Sequence, residues 1–63
     1  MNILYSTGCP KCKVLETKLN NKNVSYNVVT DVNEMLNKGI KSAPVLEVDG
    51  NVMDFASAVK WVN

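Results

Sequence analysis

Both cysteines of the chain fall within Thr7-Gly8-Cys9-Pro10-Lys11-Cys12, directly after an apolar run and directly before a helix-like pattern. No other feature restricts the fold as strongly. A proline between the thiols suits the first helical position, where its fixed φ is already correct and its missing N–H costs nothing. Cys9 then stands at the helix cap, beside unpaired backbone N–H groups and the positive end of the helix dipole, which together favour thiolate. Lys11 and Lys13 add positive charge nearby. The start of the chain must therefore supply a strand, a tight turn and a helix entrance, in that order.

What the thiols can do is limited by what the chain lacks. There is no histidine, so the commonest neutral metal ligand and the usual general base are absent. A bridge closing so short a loop removes little chain entropy, and disulfide-stapled mini-proteins use more cysteines. Two cysteines cannot complete a tetrahedral zinc site within one chain. The spacing fits thiol–disulfide exchange, with Cys9 attacking and Cys12 resolving through a redox-active Cys9–Cys12 disulfide. Two readings remain beside it: a metal or iron–sulfur cluster carrier that dimerises through Cys9, and an inert pair.

With 63 residues the sequence describes a single domain, 1–63, near the lower size limit for folding without staples. Its seven lysines and six acids are spread along the chain, and arginine is absent, so no nucleic-acid partner is expected. No apolar run reaches membrane-spanning length, and no basic segment precedes a long apolar stretch at the N-terminus. A cytoplasmic monomer is the expectation.

Along the chain, Asn2 to Ser6 reads as a strand buried on both faces, ended by the turn signal Thr7-Gly8. From Pro10 the spacing of Cys12, Leu15 and Leu19 predicts an amphipathic helix closed by the Asn20–Asn23 cluster. Alternation over Val24 to Val29 predicts a second strand, parallel to the first through the intervening helix. Asp31 and Glu34 form a capping-box-like pair for a short helix with Val32, Met35 and Leu36 on its apolar face, and Gly39 and Ile40 fit a Schellman ending. Val45 to Val48, the type I′ turn signal Asp49-Gly50 and Val52-Met53 predict a hairpin. Asp54 caps a last helix bearing Phe55, Ala58, Val59 and Val62, with Trp61 off that stripe. Tyr5 and Tyr26 read as strand residues that pack. Pro44 begins a strand, where a missing donor is tolerated; the residues alone leave the Ala43–Pro44 isomer open.

A strand, Cys-Pro-Lys-Cys at a helix entrance, a second strand, then Ser42-Ala43-Pro44-Val45 before a hairpin and last helix resembles the thioredoxin/glutaredoxin superfamily over the whole chain. The resemblance implies an α/β, thioredoxin-like fold of glutaredoxin type, β-α-β-α-β-β-α, with a four-stranded mixed sheet and three helices. It implies that Cys9 and Cys12 are the catalytic pair and that Pro44 is a cis-proline lying against them. Ala43 would present its backbone to an extended substrate segment. Protein disulfides are the implied substrate, and a thioredoxin-reductase-like protein or glutathione the implied reductant, with no bound cofactor.

The Ser-Ala-Pro-Val run is similar to the small NrdH-type redoxins that donate electrons to ribonucleotide reductase, without their C-terminal tryptophan–serine–glycine segment. Lys11 stands where glutaredoxins carry tyrosine, and Asp54-Phe55 where they carry a glycine pair against glutathione. An acidic Asp54 beside that ligand counts against glutathione, although Lys11 retains the means to attract a substrate carboxylate.

Overall fold

The computed structural model describes residues 1–63 in the order β1 (Asn2–Tyr5), α1 (Pro10–Asn21), β2 (Asn27–Val29), α2 (Val32–Asn37), β3 (Val45–Val48), β4 (Asn51–Met53) and α3 (Phe55–Val62). The fold is α/β, with three helices on a four-stranded mixed sheet of order β2-β1-β3-β4. β1 runs parallel to β2 and antiparallel to β3, and β3 is antiparallel to β4. This is the element order and strand count expected from the sequence. No helix is long and apolar enough to cross a membrane.

β1 is buried on both faces because helices cover both. Leu4 joins Leu15 and Leu19 of α1, Leu46 of β3, and Ala58 and Val62 of α3 in the larger core. Its neighbour Tyr5 points the other way, into a smaller core with Met35, Ile40 and Val45. One-residue alternation along a central strand thus fixes α1 and α3 on one side of the sheet and α2 on the other.

Several terminations follow the sequence closely. The Asp49-Gly50 turn has positive φ at both residues, 49° and 87°, as a type I′ hairpin requires. At the end of α2, Gly39 N–H donates to Leu36 O and Ile40 N–H to Met35 O, completing the expected Schellman motif. α1 ends the same way, with Asn23 at φ 56° in the glycine position and Val24 N–H donating to Leu19 O at 3.0 Å.

That second motif corrects the β2 expectation. Val24 N–H belongs to the helix ending, and the strand forms only over Asn27–Val29 instead of Val24–Val29. Val24 and Tyr26 still pack against the larger core. β1 ends at Tyr5, one residue before the expected Ser6, although Ser6 N–H still donates to Val29 O. Asp31 caps α2 by accepting Asn33 N–H at 2.9 Å, and the capping-box bond from Glu34 is not among the hydrogen bonds. Of the apolar face expected on α2, only Met35 is buried; Val32 and Leu36 are 55% and 60% exposed. A helix this short lays one turn on the sheet, and Ile40, returned by the Schellman turn, makes the second contact.

Candidate active site

The strand-to-helix turn after β1 positions both sulfurs. Gly8 takes φ 79°, a left-handed conformation that a side chain would disfavour, and turns the chain into α1. Cys9 is the N-cap residue, with extended backbone, and Pro10 opens the helix. Cys9 Sγ accepts the Cys12 N–H at 3.2 Å, so a sulfur does the work that an Asp or Ser oxygen does at most caps. Both cysteines are free thiols; Cys9 is half-buried and Cys12 fully buried. The outer sulfur is thus open to an incoming group and the inner one is not.

The loop before β3 completes the site. The Ala43–Pro44 peptide is cis, and the Cys9 thiol lies 3.9 Å from Ala43 O as a donor to it. Pro44 is buried and Ala43 half-buried. Ala43 also lines a groove of about 140 Å³ that runs from Thr7 to α2, with Met35 and Ile40 inside and Val32 and Leu36 at its rim. Residues distant in sequence, Cys9 and Ala43-Pro44, are thereby brought together. Lys11 leans its ammonium over the Phe55 ring, 5.6 Å from the centroid, and bridges the entrances of α1 and α3.

Ser6 was not identifiable as a site residue from sequence. It is a polar residue only 3% exposed, and its Oγ accepts the Gly8 N–H at 3.2 Å, which ties the end of β1 to the turn carrying Cys9. The only hint was a hydroxyl ending an apolar run immediately before the thiol motif. The helix-cap position points to Cys9 as the activated thiol, whereas the lowered pKa, about 7 against an ordinary 9.0, belongs to Cys12. Burial opposes its ionisation and is the largest single influence. Hydrogen bonding with the Cys9 side chain, with Ser6 and with the Thr7 and Cys9 backbone together outweighs it.

This shift has a sign that can be tested. A thiol lowered in the folded state adds stability fully above the unfolded value of 9.0, and that stability is lost as pH falls through about 7. The reduced protein is therefore expected to gain thermal stability between these limits relative to Cys12→Ser. The difference between the two melting-temperature profiles isolates Cys12 from the terminal amine, and parallel profiles contradict the shift.

The remaining sequence candidates have structural roles. Tyr5 is buried beneath Lys38, whose ammonium lies 5.6 Å from the ring centroid and 3.2 Å from Glu47 Oε1. Tyr26 donates its hydroxyl to Asn20 Oδ1 at 3.0 Å, and Trp61 stands 43% exposed on α3. Asp54 caps α3 by accepting Ser57 N–H at 2.8 Å, and this bond together with the Ser57 side chain holds its carboxyl below the usual range. No group of three or more potential metal-ligating side chains is gathered anywhere in the fold. Comparison of the chain with protein-family models, curated proteins and solved structures finds no match in any of the three.

Proposed function

We propose that this chain is a thiol–disulfide oxidoreductase of thioredoxin-like, glutaredoxin type, reducing protein disulfides by a dithiol mechanism. The observation that carries this reading is the asymmetry of the thiol pair: a half-buried Cys9 at a helix cap, its sulfur accepting the Cys12 N–H, beside a fully buried Cys12. Cys9 thiolate attacks one sulfur of a substrate disulfide, forming a mixed disulfide and expelling the other substrate sulfur as thiolate. Cys12 then attacks Cys9 Sγ as its thiolate and releases the second substrate thiolate. The substrate gains two electrons and the protein ends as the Cys9–Cys12 disulfide.

The chain's other residues serve that exchange. Ala43, whose carbonyl lies beside Cys9 Sγ, offers backbone to an extended substrate segment as an added strand pairs. A thioredoxin-reductase-like protein or glutathione restores the dithiol in this reading, and an electron-accepting ribonucleotide reductase is one protein substrate that it suits. The test is a stoichiometric exchange between the reduced protein and a peptide disulfide, followed by intact-mass spectrometry. The expected product is one intramolecular Cys9–Cys12 disulfide for each peptide disulfide consumed. Peptide left unreduced after prolonged incubation rules the reading out.

A further inference from the structure

The charges divide unevenly between the two sides of the sheet. α1 and α3 with their caps hold five lysines (Lys11, Lys13, Lys18, Lys22 and Lys60) against two carboxylates, Glu16 and Asp54, a net of +3. The rest of the chain holds Lys38 and Lys41 against Asp31, Glu34, Glu47 and Asp49, a net of −2. Neither carboxylate of the basic side neutralises the outer face of α1. Glu16 is half-buried and close enough to Tyr26 that, beside burial, its charge raises the phenol's pKa, and Asp54 is engaged with Ser57 N–H. The molecule's ion pairs, Met1–Asp49 and Lys38–Glu47, include no lysine of α1.

Two further observations mark this face. The first turn of α1 contains no acidic residue and instead opens with Lys11 and Lys13, against the preference of the helix dipole. Local stability rules are broken in this way chiefly where function requires it. Val14, 46% exposed, lies between Lys13 and Lys18 in an open groove completed by Thr17 and Asn21. The unpaired basic face begins at the turn that carries Cys9.

We infer that the outer face of α1 is a docking surface for acidic protein segments. The disulfides that this chain exchanges with are flanked by Asp and Glu, which lie along Lys13 and Lys18 while the disulfide meets Cys9. This rests on the oxidoreductase reading and adds the substrate class to it. Exposed charges act over about a Debye length, roughly 8–10 Å in physiological salt, so the preference resides mainly in the encounter rate and is sensitive to ionic strength.

The experiment uses three peptides with the same disulfide, flanked by Asp, by Ser or by Lys, each rate normalised to the peptide's rate with a small uncharged thiol. At low ionic strength the acidic peptide is expected to react about tenfold or more faster than the basic one, with the serine peptide between them. In molar salt the spread falls to within about twofold. Lys13→Glu/Lys18→Glu, checked for folding by circular dichroism, lowers the acidic-to-basic ratio by about tenfold. Equal rates at low salt, a preference that survives molar salt, or an unchanged ratio in the double variant overturns the docking surface while leaving the oxidoreductase reading intact. Failure of all three peptides to react overturns that reading, and the docking surface with it.

Discussion

Cys9→Ser is expected to lose disulfide reduction by at least about a thousandfold, whereas Cys12→Ser still attacks and then stalls. The two variants differ because the two sulfurs occupy different surroundings. Cys9 Sγ is the half-exposed sulfur at the cap of α1, and a serine oxygen there keeps the capping bond to Cys12 N–H while losing the nucleophile. Folding is therefore preserved, and the loss is chemical. Cys12 is buried, so its substitution leaves the first attack possible and removes the second. Cys12→Ser should accumulate a Cys9-linked mixed disulfide, visible by mass spectrometry and dissolved by added thiol. The opposite result, with Cys12→Ser inert and Cys9→Ser forming the adduct, would reverse the roles assigned to the pair.

The part of this site carried by local sequence was legible in advance. Cys9, Pro10 and Cys12 form a cap and a first helical turn whose geometry depends on near neighbours only, so spacing sufficed. Gly39-Ile40 and Asp49-Gly50 are local in the same sense, and both endings match expectation. The closeness of Ala43 to Cys9 is a tertiary contact that residue patterns could not supply; only the family resemblance suggested it. Ser6 and the lowered pKa of Cys12 were missed for a related reason. A hydroxyl's burial depends on what is packed over it, and the ionisation of a buried thiol on a balance between desolvation and several hydrogen bonds. β2 is shorter than the strand-like alternation of Val24–Val29 suggests, because a left-handed Asn23 commits Val24 to closing α1.

The leucines differ in burial, and their substitution separates core from surface. Leu46 of β3 is fully buried, faces Leu4 across the strand pair and belongs to the core that α1 and α3 share. Leu46→Ala removes buried methyl groups between layers that cannot fully collapse, a loss of about 3 kcal/mol. A chain of this size has a total stability of roughly 3–9 kcal/mol, so this one change consumes a third of it or all of it. The melting temperature should drop by roughly 12–24 °C, or the folded state should vanish at room temperature. Leu36, also drawn on an apolar face by the helical spacing, is 60% exposed on a helix that touches the sheet through Met35. Leu36→Ala should therefore change stability by no more than about 0.5 kcal/mol. Urea unfolding of both variants decides the matter: comparable losses would mean that α2 presents more of its surface to the sheet than the single buried side chain Met35, and that the smaller core is as demanding as the larger.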